Sequence, residues 1–161
     1  MLAGTGASAD IMLDQSGIPT IAAIPLARKA LSELGLDGEV SLIASGGIRN
    51  GADVAKALAL GADAVAIGLA ALIALNCNKE IPEANYEQEI GVPAGYCRHC
   101  HTGKCPVGIT TQDPDLEQRL DFEQAANRVA NFINATSMEL ALITRSLGKG
   151  DVRSLEPEDL V

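Results

Sequence analysis

The chain has 161 residues, 47% of them hydrophobic and 20% charged, which suits one globular domain with a real core and excludes a disordered segment. A formal net charge of -9, a pI near 4.6 and an aromatic content of 2% exclude the basic stripe and stacking platforms of a nucleic-acid binder. No run approaches the roughly 18 apolar residues of a membrane span, and the first residues lack the order of a secretory signal, so the expected address is the cytoplasm, with no membrane partner.

Helices and strands alternate up to about residue 75. Residues 18–35 read as a helix with Ile21, Ile24 and Ala27 on one face, a kink at Pro25 and a stop near Gly35. Residues 40–44, Val-Ser-Leu-Ile-Ala, suit a buried parallel strand. Val54, Ala57 and Leu58 space a helix over 51–60, which Gly61 ends. A second strand at 63–67 and a helix at 70–75 follow. Strands joined this way pair in parallel through right-handed crossovers and need cover on both faces; two alone neither close a barrel nor protect their edges.

Residues 76–112 lose all periodicity and turn to Asn, Glu, Pro, Gly and Cys, the composition of an irregular insertion. The helical period returns from Pro114 to Leu147, with Phe122, Ala125, Ala126, Val129, Phe132, Ile133, Leu140, Ile143 and Leu147 in one stripe that Thr136 interrupts and Gly148 ends. Ser154, followed by Glu-Pro-Glu-Asp, predicts the N-cap and acidic first turn of a short last helix.

Two segments carry chemistry. Ser45-Gly46-Gly47-Ile48-Arg49-Asn50-Gly51 follows the first strand, and Gly68 closes the second. Glycines there let backbone N–H groups approach an anion without a Cβ in the way, although glycine is also the ordinary turn residue. Arg49 and Lys56 are candidate phosphate contacts or solvated helix-end charges, and Asp53 suits the first turn of its helix.

The other segment is Cys97-Arg98-His99-Cys100-His101-Thr102-Gly103-Lys104-Cys105, a C-x2-C-x4-C pattern. Three thiols within nine residues point to metal in a reducing compartment, with iron–sulfur and zinc both open. Cys97 to His101 also spells the c-type haem attachment pattern, whose chemistry normally requires export; His99 and His101 otherwise read as surface residues. No Ser-His-Asp set and no Walker motif is present.

Taken together, the two glycine loops resemble those of FMN-dependent (β/α)8 barrels, where the loops after the last two strands hold phosphate. The continuation Ala70-Ala71-Leu72-Ile73-Ala74-Leu75 and the stretch Cys100 to Gly108 through Thr111-Gln112-Asp113 are similar to the synthase domain of glutamate synthase. The resemblance implies an α/β fold: the last two strands and helices of an FMN-binding (β/α)8 TIM barrel over 1–75, an iron–sulfur loop over 76–112 and a C-terminal helical extension over 113–161. It implies Gly46, Gly47, Gly68 and Leu69 as flavin phosphate-loop positions, and Gly4, Thr5 and Gly6 as a loop near flavin and substrate. Ala3 and Leu69 depart from the family, which usually has Gly and Thr there, so Leu69 lacks a hydroxyl for phosphate.

The resemblance further implies a 3Fe-4S cluster on Cys77, Cys100 and Cys105. Here 22 residues separate Cys77 from Cys100, a longer spacing than the family's, and Cys97 is an additional thiol; the alternative is a cluster, such as 4Fe-4S, to which Cys97 adds a fourth ligand, or one in which it replaces Cys77. The implied activity is that of an oxidoreductase: glutamine-derived ammonia adds to 2-oxoglutarate, and hydride from FMN completes L-glutamate. Implied partners are the rest of the synthase domain, a glutaminase component and an electron donor protein or NADPH-oxidising subunit. The missing barrel strands lead one to expect a fragment inactive alone; one chain of a split enzyme and a non-enzymatic iron–sulfur or zinc remnant are the alternatives.

Overall fold

The computed structural model describes residues 17–77, 79, 81, 88, 91, 97 and 99–160. They fall into two units, one holding the described residues of 17–70 and 133–160, the other those of 71–132. The expected loop at Gly4, Thr5 and Gly6 lies outside the described residues.

In the first unit, helix α1 spans Thr20–Glu33 and ends where predicted. Gly35 adopts φ +70°, so that its N–H reaches Ser32 O and that of Leu36 reaches Leu31 O, closing carbonyls the helix leaves open. Strand β1 (Ile43–Ser45) follows, then helix α2 (Gly51–Ala59), strand β2 (Ala64–Ala66) and helix α3, which begins at Leu69 and runs to Ala74. Gly61 at φ +107° stops α2 by the same motif, with Ala62 N–H on Ala57 O. The two strands pair in parallel, Ile43 opposite Ala64 and Ser45 opposite Ala66. This is an α/β arrangement around a small sheet.

The first strand starts later than the expected 40–44, because the chain is still turning at Val40, whose N–H bonds to Leu36 O. Asp63 then acts as a ladder rung: its N–H donates to Leu42 O at 2.8 Å and its Oδ2 accepts from Leu42 N–H at 2.6 Å. Arg28 holds the same oxygen at 2.6 Å and donates to Gly61 O at 2.8 Å, tying α1 to the entry of β2. These contacts, Leu42 N–H first, keep the Asp63 carboxyl below its ordinary pKa.

Neither strand is buried on both faces, contrary to the expectation for the 40–44 run. Ala44 enters a core with Ile24, Ile48, Val54, Ala57 and Ala62, whereas Ile43 is 62% exposed and Ser45 is exposed on the opposite face. The buried face of α1 is correspondingly narrow: Ile24 is in the core and Ile21 exposed, since a two-stranded sheet offers little surface to cover.

The second half of α5 (Phe122–Ser146) belongs to this unit too. Thr136 is buried and Leu140 packs against the α2 core. Gly148 ends the helix at φ +75°, with Lys149 N–H on Thr144 O. The tail departs from expectation: Val152–Ser154 and Pro157–Asp159 form two 3-10 turns. Ser154 is not the cap, because its hydroxyl donates to Asp151 O; Glu156 precedes the last turn, with its N–H on Asp159 Oδ2 at 2.9 Å. Leu155 is buried on Ala55 and Ala59, and Lys149 Nζ holds Ser154 O, Glu156 and Asp159 within 2.8 Å.

The second unit has its own small core of Ile81, Cys105 and Val107, against which Cys97 and Ile109 pack. The helical stretch predicted from Pro114 is two helices, α4 (Pro114–Glu117) and α5. Asp113 caps α4 by accepting from Asp115 N–H at 3.0 Å. The backbone then tightens, Arg119 N–H on Leu116 O and Leu120 N–H on Glu117 O, before Asp121 caps α5 through Gln124 N–H. Among the described residues, no helix is long and apolar enough to cross a membrane.

Candidate functional site

The parallel register that sets Ser45 beside Ala66 delivers the chain segments after both strands to the same end of the sheet. Gly46–Gly47 and Gly68–Leu69 therefore share one edge of the first unit. Gly46 and Gly47 take φ of +112° and +75°, conformations closed to most side chains. Successive backbone N–H groups in such a turn form an anion-binding concavity. Gly68 keeps an ordinary φ and a Cβ there would meet nothing, so it provides access rather than an unusual backbone shape. Leu69, 59% exposed, begins α3 and offers no polar side-chain atom.

Beside the Gly-Gly turn lies a cavity of about 160 Å³, lined by Thr20 and Ile24 of α1, Gly46, Gly47, Arg49 and Asp53. The Thr20 hydroxyl donates to Ser45 O at 3.3 Å, closing one wall. Asn50 caps α2 by accepting from Asp53 N–H at 2.9 Å. Asp53, buried, turns back on Arg49 and accepts from its N–H at 3.1 Å and its Nε at 2.9 Å. The hydrogen bond from the Arg49 side chain is the largest influence on Asp53 and holds its carboxyl below the usual range, against the opposing effect of burial. Arg49 is thus partnered by Asp53, while Lys56 is exposed further along α2.

All four cysteines belong to the second unit. Helix α3 ends with Asn76 at φ 77°, the left-handed position in which Asn is the usual substitute for Gly, and Cys77 N–H bonds back to Leu72 O at 3.0 Å. Burial pushes the Cys77 thiol up to about 11, and Cys97, Cys100 and Cys105 each add to that as like charges. Cys100 is raised for the same reasons, burial first, then Cys97 and Cys105.

Cys105 behaves in the opposite way. Burial, its largest single influence, would raise it, but N–H groups of Thr110, Val107 and Ile109 converge on the sulfur and bring the net shift below the ordinary value. The Thr110 hydroxyl oxygen is buried without a conventional partner, and the Cys105 sulfur is the group its dipole stabilises. The loop around this thiol is held by Thr111, whose hydroxyl donates to Gly103 O at 2.5 Å, and by Arg119, which donates to Pro106 O at 3.0 Å. Lys79 Nζ donates to Arg119 O. Among the described residues, no three Cys, His, Asp or Glu groups stand close enough to enclose a metal ion, so the thiols are gathered without being closed on one point. His99 meets Thr102, and His101 is exposed.

Several residues that build these sites escape a reading of sequence pattern. Asn after a helix was a usable signal for Asn76. Nothing local marks Thr110, or Glu139, which accepts from Gly51 N–H at 2.8 Å across 88 residues of chain.

The model for the conserved region in glutamate synthase matches residues 1–82 and 85–150. The glutamate synthase large subunit-like protein of Rhizobium meliloti is 51% identical over 99% of this chain and 36% of its own length. Archaeal glutamate synthase (NADPH) of Methanocaldococcus jannaschii is 45% identical over 94% of the chain and 26% of its own length. The archaeal-type glutamate synthase (NADPH) of Thermotoga maritima is 42% identical over 94% of the chain and 27% of its own length. The chain thus spans from about a quarter to just over a third of these relatives. With a family match running through both glycine loops and the cysteine segment, the chain belongs to the glutamate synthase family.

Proposed function

We propose that the chain contributes the phosphate-holding end of an FMN-binding (β/α)8 barrel, and an iron–sulfur segment, to the reductive formation of L-glutamate from 2-oxoglutarate and glutamine-derived ammonia. The observation that carries this reading is that the Gly46–Gly47 turn, with both φ positive, and Gly68 lie at the same end of the parallel pair. In barrels of this architecture the loops after the last two strands hold phosphate. Backbone N–H groups there bind a dianion with no side-chain charge, which suits a site where Arg49 is engaged by Asp53 and Leu69 has no hydroxyl. The exposed Ile43 face supports the same reading, since a barrel strand packs on both faces.

On this reading residues 1–75 are part of the barrel, 76–112 the cluster segment and 113–161 its helical extension. Gly4, Thr5 and Gly6 form the loop near flavin and substrate. Cys77, Cys100 and Cys105 hold the cluster. The donor set is thiol-rich: all four cysteines lie in the second unit, and N–H groups of Thr110, Val107 and Ile109 bring the Cys105 thiol below its ordinary pKa. When bound, FMN supplies hydride and the cluster supplies single electrons. The chain's own residues orient the phosphate, lower the pKa of the Cys105 thiol and place Cys77 just after α3. The remaining synthase-domain residues, a glutaminase component and an NADPH-oxidising or other electron-donor partner complete the activity; two of the relatives are named for NADPH.

Co-expression of this chain with the preceding segment of the Rhizobium meliloti relative tests the flavin assignment. The pair should co-purify with FMN, and Gly47→Val should abolish that yellow colour. A folded pair that never retains flavin overturns the assignment. The separate core of the second unit favours one other reading, a cysteine module that binds metal without flavin. Metal in the chain alone, with no flavin in the pair, would select it.

A further inference from the structure

We infer that Glu139 is a positioning residue for the phosphate turn: through the Gly51 N–H it fixes the exit of the Gly46–Gly47 loop and so holds the loop in its anion-binding shape. This rests on the flavin reading above and deepens it. The Glu139 carboxylate accepts from Gly51 N–H at 2.8 Å, and both residues belong to the first unit. Gly51 follows shortly after the Gly-Gly pair and opens α2, so the bond lands where the turn hands over to the helix. A Cβ on Gly51 would lie 2.6 Å from Leu140 N and Thr136 O, which seats this backbone directly on α5.

Two further contacts tie the same loop. At its entry the Thr20 hydroxyl donates to Ser45 O at 3.3 Å, and beyond the turn Asp53 accepts from Arg49 N–H at 3.1 Å. Gly46 and Gly47 are thereby bracketed by anchored backbone. A carboxylate at a helix start is ordinarily a cap, but Asn50 already caps α2 by accepting from Asp53 N–H at 2.9 Å. The Glu139 bond instead sets where the loop ends. Hydrogen bonds weaken steeply with misalignment, so a turn that binds phosphate through backbone N–H groups gains from being held before the ligand arrives. A negative charge by itself disfavours a dianion nearby, so the contribution of Glu139 is geometric.

The co-expressed pair described above, stripped of flavin, tests this by titration with FMN and with riboflavin, which lacks the phosphate. Glu139→Ala should weaken FMN binding about fivefold to tenfold, the loss expected for one hydrogen bond to a charged group, and leave riboflavin within about twofold. Glu139→Gln keeps an acceptor for Gly51 N–H and should hold FMN within about twofold of wild type. Should Glu139→Ala not fold, amide exchange at Gly51 in the wild-type pair takes its place, because a first-turn N–H has no partner within its own helix. Slow exchange with and without FMN is expected, and exchange at the rate of an open amide overturns the inference. Equal losses for both flavins, a loss in Glu139→Gln as large as in Glu139→Ala, or FMN bound as tightly or more tightly by Glu139→Ala likewise overturns it while leaving the flavin assignment intact. A folded wild-type pair that takes up no FMN overturns both.

Discussion

The backbone N–H of Gly51 donates to the carboxylate of Glu139 at 2.8 Å, joining the first turn of α2 to α5 within the first unit. A Cβ on Gly51 would lie 2.6 Å from both Leu140 N and Thr136 O, so the helix start rests directly on backbone. Gly51→Ala should therefore cost about 2–3 kcal/mol in urea unfolding, the usual penalty for overpacking a site that cannot yield. Glu139→Gln keeps a hydrogen-bond acceptor and loses a charge at a helix N-terminus, so its cost should be about 0.5 kcal/mol. Equal effects of the two variants would show that the close backbone approach is not what matters.

Asp53 sets a pH dependence whose sign follows from its partners. Its folded pKa lies below the ordinary 3.8, the Arg49 side-chain hydrogen bond being the largest cause. A depressed carboxyl contributes stability that is fully present above the unfolded value and is lost as pH falls through the folded one. The gap in urea midpoint between wild type and Asp53→Asn should thus be constant from neutrality to about pH 5 and shrink below about pH 4. A gap that stays constant down to pH ~2 would show that the Asp53 charge contributes nothing.

Gly108 holds the cysteine loop against α4. It sits at φ +82°, and a Cβ there would come within 2.5 Å of Leu116 O. Gly108→Ala combines strain with a backbone clash and should destabilise the second unit by about 2 kcal/mol or more. Amide hydrogen exchange should report it as faster exchange over 105–120, with 43–66 unchanged.

Asn76 can be tested by residue choice alone. Its φ of 77° is one that Gly adopts freely and a β-branched residue resists. Asn76→Gly should be within about 0.5 kcal/mol of wild type, and Asn76→Val should cost about 1–2 kcal/mol. If Cys77 holds a cluster as proposed, Asn76→Val should also reduce iron retention after anaerobic reconstitution, because Cys77 follows directly.

The C-terminal tail is clasped by one lysine. Lys149 Nζ reaches Glu156 and Asp159 at 2.8 and 2.6 Å, and Leu155 between them is buried on α2. Lys149→Met should raise amide exchange at 155–160 without unfolding α2, and Leu155→Ala should lower global stability by about 2–3 kcal/mol. Unchanged exchange in Lys149→Met would mean that apolar contact holds the tail by itself.

Local pattern was enough where the determinants are local. Glycines at 35, 61 and 148 end their helices as their positions predict, since a left-handed residue after a helix is a backbone requirement that sequence states directly. The paired strands around a Gly-Gly turn, the apolar spacing of α2 and the crowding of thiols at 97–105 were legible for the same reason, and with them the family. What sequence alone did not determine depends on contacts distant along the chain. The exposure of Ile43 reflects how few strands lie beside it, and the burial of Leu155 depends on a surface of α2 roughly a hundred residues away. The role of Glu139 at Gly51, the buried hydroxyl of Thr110 beside Cys105, and the packing of Cys97 into the core of Cys105 are likewise tertiary. Periodicity reports which face of an element is apolar, whereas only the folded chain decides which neighbour meets it.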